Sequence, residues 1–393
     1  MTDFINRAYF GVASAPGAGN IAVGAAVSGP YRTLGAAHDG QTFDVAITDG
    51  NAWEVRTGCT YTHGTTTLTR GTLEDSSTGS AISLSASAQV MVTSVSSREN
   101  FVERLMRGTQ PGGRLTLTSG TPVTTSDVTG ATTIYYTPYV HDTIVLWDGA
   151  RWRPVTFAEV SHALGTMSAN TNYDVFGYLN AGALALEKLA WSNDTTRATA
   201  VTIQDGRYCK SGDKTRLYIG TFRSTSTTTT EDSAGGVTSQ VGGKRFVWNM
   251  YNRVPRAMAV IDTTATWTYN AANWRQANAA SGNKVECVTG ISSDVSAQLT
   301  VTVNIGNTNP AHAGIGLDSV TAATGVGQAH NAGASLAFDG VLSAFIDREL
   351  TAGYHYIAWL EAGYAGASLT WTGRISSGGT AGRQSGMTAR ISA

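Results

Sequence analysis

The sequence predicts a mainly β, multi-domain protein, and three observations support this prediction. The 393 residues exceed the usual size of a single domain. Charged residues make up only 14% of the chain, whereas glycine occurs 45 times, so hydroxyl and backbone groups must supply much of the polar surface. Short runs of Thr, Val and aromatic residues alternate with glycine-containing segments, and these residue types favour strands and tight turns respectively.

The first module, residues 1–95, is expected to be all-β. FDVAITDGNAWEV (43–55) and TYTHGTTTLTR (60–70) each place small turn-forming residues between runs of β-formers. This arrangement is typical of β-hairpins.

The pattern changes at SSRENFVERLMR (96–107), which predicts one short helix. Ser96 is followed three residues later by Glu99, the spacing of a capping box. Four apolar residues share one helical face, namely Phe101, Val102, Leu105 and Met106. A helix of about three turns is marginal alone in water, so this face needs a partner. Together with GTQPGG (108–113), the helix forms a predicted linker over residues 96–113.

Residues 114–165 are predicted to form a small β-hairpin module. Within it, IVLWDGARWRPVTF (144–157) permits two interpretations, a hairpin that turns at Asp148-Gly149 or a chemical site. The residues of such a site would be Trp147, Arg151 and Trp152. We favour the structural hairpin, because Asp-Gly is a strong turn signal, arginines can lie over indole faces, and no nucleophile or base accompanies them. After the hairpin, Thr156 and Glu159 again have capping-box spacing, which predicts a short helix over residues 157–164.

The last module, residues 166–393, is predicted to be a β-sandwich or jelly-roll-like domain. NYDVFGYLNAGALALEKLAW (172–191) predicts two strands about Asn180 to Ala183. Further strand-like runs occur at 216–222, 244–254, 265–269, 298–305, 354–362 and 368–375. Many short strands at irregular intervals favour a sandwich, and the absence of a repeat of about 20–50 residues argues against a solenoid or parallel β-helix.

Charge and hydropathy argue against two classes of partner. The formal net charge is −1, without the basic stripe that phosphate neutralisation requires, so we do not expect nucleic-acid binding. No apolar stretch approaches the roughly 18 to 20 residues that span a bilayer. The opening MTDFINRAYF also lacks the basic and apolar regions of a secretion signal, and we expect synthesis in the cytosol.

The three cysteines, Cys59, Cys209 and Cys287, are expected to be reduced and buried. They are few, odd in number and far apart, which argues against a disulfide framework or a cysteine-rich zinc site. A bridge between Cys209 and Cys287 is the alternative.

Motifs for cofactors, metals and catalysis are weak throughout. GAGNIA (17–22) matches a loose dinucleotide pattern, but it lacks the preceding strand and following helix. His38-Asp39 and His141-Asp142 are adjacent pairs, whose side chains diverge on a strand, and no histidines have the spacing of a zinc-binding helix.

Glycan hydrolysis needs two carboxylates across a cleft. The candidates for these carboxylates in the last module are Asp339, Asp347, Glu349 and Glu361. Surface carboxylates are the commoner case, so we expect no enzyme activity, no cofactor and no metal.

An aromatic cluster gives the best candidate for binding. WTYNAANWRQAN (267–278) places three aromatic residues beside one arginine and several amides, a mixture suited to sugar faces and hydroxyls. These candidates are Trp267, Tyr269, Trp274 and Arg275. Core packing is the favoured alternative, because residues two apart on a strand share one face and aromatics dominate the cores of β-domains.

Long segments of the chain resemble virion proteins of tailed bacteriophages, commonly described as tail fibre or fibre-like proteins. The resemblance rests on residues 114–157, 172–223, 244–258, 267–278 and 386–388, and on DGNAWEV and TLTRGTLEDSSTGSAISLSASAQVMVT in the first hundred residues. It implies a β-rich homotrimer located in the virion. Its amino-terminal part would be held on the particle by other virion proteins, and its carboxy-terminal part would bind a host cell-surface glycan or protein.

Two other functions stay open at this point. A head fibre or decoration protein of the capsid would carry the same resemblance. A surface-polysaccharide depolymerase is the alternative among enzymes, and the lack of a β-helical repeat argues against it.

Overall fold

The computed structural model describes residues 7–93, 110–236, 240–330, 337–377 and 380–393, without the side chains of residues 375–383. The protein is mainly β and multi-domain, and its sheets include a six-stranded barrel and a curled half-barrel. No α-helix occurs in these ranges, and none of their helical turns approaches the length and hydropathy of a membrane span. The chain divides into two compact units, residues 1–106 (unit 1) and 107–393 (unit 2). The helix predicted within residues 96–107 lies outside the described residues.

Within residues 7–93, unit 1 contains seven strands and two 3-10 turns, Ala36–His38 and His63–Thr65. The strands are β1 Tyr9–Val12, β2 Ile21–Ala26, β3 Thr42–Asp49, β4 Ala52–Thr62, β5 Thr67–Leu68, β6 Thr72–Ser76 and β7 Gln89–Val92. Six of them are hydrogen-bonded in the order β3-β7-β1-β2-β5-β4, and β4 pairs again with β3. The sheet therefore closes on itself, which removes the free edges of an open sheet.

Both hairpins predicted for the first module are confirmed. β3 and β4 pair from Asp49↔Ala52 outward, and β4 and β5 pair at Tyr61↔Leu68 and Thr62↔Thr67. The inward side chains of unit 1 form one apolar cluster that includes Phe10, Phe43, Val45, Ile47 and Tyr61.

A buried ion-pair network lies within unit 1. The fully buried carboxylate of Glu54 accepts hydrogen bonds from Arg56 Nε at 2.9 Å and Arg70 Nε at 2.6 Å, and from the Ile82 amide at 3.1 Å. Burial alone would raise the pKa of Glu54, but the donors Arg70, Arg56 and Ile82 outweigh it and lower this pKa. A lowered folded-state pKa stabilises the fold at neutral pH, and this contribution is lost as the pH falls through the acid range.

The described part of unit 2 contains the remaining strands and one 3-10 turn, Ala277–Ala279. Its first half comprises β8 Gly113–Thr116, β9 Val128–Ala131, β10 Thr133–Pro138, β11 Thr143–Trp147, β12 Trp152–Thr156, β13 Val160–Ala163, β14 Asn172–Asn180, β15 Ala183–Ala190, β16 Val201–Gln204, β17 Arg207–Lys210 and β18 Asp213–Arg223. Its second half comprises β19 Thr230–Gly235, β20 Gly242–Arg245, β21 Val247–Asn249, β22 Pro255–Ile261, β23 Thr266–Thr268, β24 Arg275–Gln276, β25 Lys284–Thr289, β26 Ser293–Ile305, β27 Ala311–Leu317, β28 Gly325–Ala329, β29 Phe338–Leu350, β30 Gly353–Ala362, β31 Leu369–Thr372, β32 Arg374–Ser377, β33 Thr380–Gln384 and β34 Gly386–Ser392.

Most strands of the first half of unit 2 form three sheets over one apolar cluster, while β9 joins a sheet of the second half. Their orders are β13-β10-β8, β11-β12, and β15-β14-β18-β17-β16 with β21 beside β18. β14 and β15 confirm the two strands predicted about Asn180 to Ala183. The cluster combines Leu115, Phe157 and Leu164 with Tyr173 and Leu217, so residues 114–165 share their core with the strands that follow.

The short helix predicted over residues 157–164 is not formed. Val160–Ala163 is instead strand β13, which pairs antiparallel with β10. Glu159 does not cap a helix, because its carboxylate accepts hydrogen bonds from the Gly120 amide and the Thr137 hydroxyl, both at 2.6 Å. Tertiary partners have thus replaced the local capping contact that the sequence spacing suggested.

The predicted hairpin at Asp148-Gly149 is confirmed as β11 and β12. Asp148 Oδ1 accepts the amides of Ala150 at 3.0 Å and Arg151 at 2.9 Å, which stabilises the turn. The Trp147 and Trp152 rings meet edge to face with centroids 5.6 Å apart. The cations over these indoles are Lys214 and Arg207 of neighbouring strands, rather than the arginines of the hairpin itself. The side chain of Arg151 is 82% exposed.

The second half of unit 2 forms two large sheets and the hairpin β32-β33. An eight-stranded sheet has the order β28-β27-β30-β25-β20-β19-β9 with β24 beside β30, and a six-stranded sheet has the order β22-β34-β26-β31-β23 with β29 beside β26. Both contribute to the largest apolar cluster, for example through Val285 and Trp359 of the first sheet and Val301 and Trp371 of the second. From Asp294 onward strand β26 alternates, with apolar residues at the buried positions and polar residues at the others.

The thiols of Cys59, Cys209 and Cys287 are free and buried, which confirms the favoured prediction. Cys209 and Cys287 lie in different apolar clusters and do not form the alternative bridge. Burial raises the pKa of Cys59 and of Cys209 to about 11, and raises that of Cys287 further. The three thiols are therefore protonated at neutral pH.

The Glu54 network gives a first test. We expect Glu54→Ala to lower the free energy of unfolding of unit 1 by about 3–5 kcal/mol at pH 7, because two buried arginines lose their counter-charge. Urea unfolding, followed by hydrogen exchange at the β4 amides, measures this loss. Thr48→Ala, at an exposed position of β3, should cost less than about 1 kcal/mol. Equal losses in the two variants would contradict a stabilising role for the network.

Candidate functional site

The buried carboxylate of Glu361 lies at the centre of the predicted aromatic cluster. Strands β24 and β30 place Arg275 opposite Glu361, and Arg275 donates from Nε at 2.9 Å. Trp267 Nε1 donates to the other carboxylate oxygen at 2.6 Å, and the amide of Asn278 donates at 3.0 Å. Burial raises the pKa of Glu361 in spite of these donors. Both oxygens of this carboxylate are therefore engaged within the protein.

The rings of the cluster also pack on neighbouring side chains. Trp267 meets Trp359 edge to face at 6.0 Å between centroids, and the Arg275 guanidinium lies 3.7 Å from the centroid of Tyr269. Tyr269 donates its hydroxyl to the Asn273 carbonyl at 2.7 Å. The structure thus brings three of the four predicted binding residues together, and their contacts agree with the alternative of internal packing.

Trp274, the fourth predicted binding residue, packs elsewhere. Its ring lies over Gly314 of β27, where an added Cβ would approach the indole to 2.9 Å. Its centroid is 6.3 Å from that of His312, and burial lowers the pKa of this histidine. Trp274 therefore closes over a backbone position that only glycine can occupy without a shift.

The four candidate carboxylates are not brought into one site. Asp339, Asp347 and Glu349 are exposed on the outer face of β29, where Asp339 accepts a hydrogen bond from Asn304 at 2.8 Å. Glu361 is buried in the other large sheet. Within the ranges that the structure describes, no group of three His, Cys, Asp or Glu residues has the arrangement of a metal site.

A groove lies on the outer face of the six-stranded sheet. Its volume is about 670 Å³, and it crosses β22, β34 and β26. Phe345 of β29 stands on one side of it, and Ala234 and Gly235 of β19 stand on the other. A second concavity of about 270 Å³ continues along the same three strands and shares Ala259, Gln298 and Thr388 with the first.

Strand register places the groove residues in cross-strand rows. Ala257, Arg390, Ser296 and Asp347 form one row across β22, β34, β26 and β29. Ala259, Thr388, Gln298 and Phe345 form the next. No local pattern in the sequence predicts this groove, because residues from four distant segments become neighbours only through the strand order. The one local signal is the polar alternation along β26.

A second electrostatic feature of unit 2 is a histidine held at both ring nitrogens. His355 Nδ1 lies 2.7 Å from Asp318 Oδ2, and its Nε2 lies 3.0 Å from the Thr351 carbonyl. Burial would lower the pKa of His355, but its contacts with Asp318 and Thr351 outweigh burial and raise it. Its contribution to stability is therefore fully present below the unfolded-state pKa and is lost as the pH rises through the folded-state pKa.

No family model matches the chain, and no curated protein matches it significantly in sequence.

The contacts of Glu361 give a second test. We expect Glu361→Ala to lower the free energy of unfolding of unit 2 by about 3 kcal/mol, because the Trp267 and Asn278 donors and a partly buried arginine lose their acceptor. Asp339→Ala, which removes an exposed carboxylate, should change it by less than about 1 kcal/mol. Thermal and urea unfolding measure both variants. A Glu361→Ala protein as stable as Asp339→Ala would exclude a structural role for this carboxylate.

The His355 contact gives a third test, through pH. We expect Asp318→Asn to lower the pKa of His355, because it removes the charge while an amide oxygen still accepts the Tyr356 amide. Asparagine also tolerates the positive φ of 53° at this position. Histidine titration by NMR measures the pKa, and the loss of stability should be larger at pH 5 than at pH 8. An unchanged titration curve would contradict the assignment.

Proposed function

We propose that this chain is a virion structural protein of the bacteriophage tail-fibre type. In this proposal the first module attaches to other virion proteins, and the C-terminal domain binds a receptor on the host surface. The observation that carries the proposal is the open groove on the outer face of the last large sheet, which combines an exposed aromatic ring with hydroxyl, amide and guanidinium groups. The mainly β architecture in two compact units supports it, as does the resemblance noted in the sequence.

We further infer that the two large sheets of unit 2 make a sandwich or jelly-roll-like domain. Both sheets supply buried side chains to one apolar cluster, as the facing sheets of a sandwich do. Such a domain presents an outer sheet face and loops to the surroundings. In this domain the outer face of the six-stranded sheet is the binding surface.

We also propose that the protein is a homotrimer. The apolar side chains of Val326 and Val341 are 53% and 66% exposed in the single chain, and a symmetric assembly gives such side chains a partner. Several copies also compensate for weak single contacts, since avidity adds roughly 10²–10⁴ over one site. The mass of the purified protein in solution tests this, with three times the chain mass of 41.1 kDa expected.

The receptor-binding role is tested by competition for the host surface. Purified full-length protein should bind cells that the phage infects, and at saturating concentration it should reduce phage adsorption at least tenfold. The matched control is the Glu361→Ala protein, which leaves the groove residues unchanged and should compete at temperatures where it is folded. Failure to bind cells or to compete would refute the receptor-binding role.

Imaging of the particle separates the proposal from its rivals. Density for this chain on the tail is expected, whereas density on the capsid would support a head fibre or decoration protein. Release of reducing ends from host polysaccharide by the purified protein would support a depolymerase instead.

A further inference from the structure

The floor of the groove is built from small side chains. Most outward positions of β22, β34 and β26 that line it carry short side chains, namely Ala257, Ala259, Ser296 and Thr388, and the two longer ones are Gln298 and Arg390. The buried positions of the same strands carry the core residues. Short side chains leave the sheet surface open to a ligand. The Phe345 ring, 62% exposed, stands beside this floor as an apolar wall.

Arg390 provides the charge of the groove. It is exposed, and no described residue pairs with its guanidinium. Among the described residues that line the two concavities it is the single charged one, and the other polar groups are hydroxyls and amides. In contrast, the buried arginines nearby are bound to acceptors, such as Arg245 and Arg256 to Asp232. The groove therefore presents one unpaired cation beside neutral hydrogen-bonding groups.

These features match one class of ligand. A guanidinium recognises a carboxylate or phosphate through two parallel hydrogen bonds. Gln298, Thr388 and Ser296 supply donors and acceptors for hydroxyls, and an aromatic ring packs against the apolar face of a sugar. We propose that the groove binds an acidic saccharide, with its anionic group on Arg390 and a sugar ring against Phe345. This inference rests on the proposed receptor-binding function and assigns its ligand class and site.

Asp347 sets the orientation of the saccharide. It lies in the same cross-strand row as Arg390, with Ser296 between them, so two strand spacings of roughly 4.8 Å separate the two residues across the sheet. At that separation Asp347 does not neutralise Arg390 directly, but its charge repels an anion on the β29 side of the groove. The anionic group of the ligand therefore lies on the β34 side.

The probe is tetragalacturonate, an acidic oligosaccharide. Its methyl ester is the uncharged control, and glucose 6-phosphate tests whether a phosphate group binds at the same site. Isothermal titration with the full-length protein should show binding of tetragalacturonate, at least tenfold weaker binding of the ester, and weakening with added salt. If glucose 6-phosphate also binds and requires Arg390, the site accepts saccharides with either a carboxylate or a phosphate group. If only the carboxylate compound binds, the ligand is a uronic or related acid.

Four variants test the residues. Arg390→Ala should weaken tetragalacturonate binding at least tenfold, and Arg390→Lys should lose part of the affinity because lysine lacks the planar fork. Phe345→Ala should weaken both the acid and its ester, while Asp347→Asn should strengthen binding of the acid about two- to fivefold by removing a like charge. Arg153→Ala is the matched control, because it also removes one positive charge, at an exposed position of β12. This variant should bind tetragalacturonate as the wild type does.

Unchanged binding by Arg390→Ala, or equal binding of the acid and its ester, would overturn the assignment. The assignment would also fall if the wild type bound no probe and the Arg390→Ala variant dissociated into monomers, because the groove would then be a subunit interface.

The groove assignment and the receptor-binding role can be refuted independently of each other. If Arg390→Ala still blocks phage adsorption and still binds tetragalacturonate, the groove assignment falls and receptor binding stands. If the wild type binds tetragalacturonate through Arg390 but does not bind host cells, receptor binding falls.

Discussion

One buried carboxylate, Asp232, organises the junction on which the second half of unit 2 depends. It accepts hydrogen bonds from Arg245 at 3.1 Å and Arg256 at 2.7 Å, and from the Thr124 hydroxyl at 3.1 Å. Loss of Asp232 would leave two buried arginines without their counter-charge, so the strands that carry these residues must keep their relative positions. Arg245 also donates to the Ala257 carbonyl at 2.7 Å, which holds β22 in place as the first strand under the groove.

The same strands supply both the core and the proposed binding face. Along β26 the buried positions hold Val295, Leu299 and Val303, while the alternate positions Ser296 and Gln298 face the groove. Side chains on opposite faces of a strand do not contact each other. The groove chemistry can therefore differ between related proteins without any change in the core, whereas a change at the Asp232 junction would displace a strand of the groove floor.

The sequence predicted local features well and contacts between distant segments poorly. Asp-Gly and Asn-Ala-Gly segments identified the hairpins at residues 144–157 and 172–191, because turn chemistry acts over a few residues. The helix predicted over 157–164 was wrong, since Glu159 binds Gly120 and Thr137 rather than a helix terminus. Of the predicted binding residues, Trp267 and Arg275 proved to surround Glu361, whose burial and opposing strand no local pattern revealed.

By itself, the sequence determined that the protein is mainly β, where several hairpins turn, and that its cysteines are reduced and buried. Alternation of apolar and polar residues with a period of two shows which residues share a face of a strand. This alternation does not show which other strand pairs with that strand. Tertiary structure decided that β22 pairs with β34 more than a hundred residues later, and that Arg390 and Phe345 flank one groove. Pairing between distant segments depends on the complementarity of whole sheet faces, and no single segment carries that information.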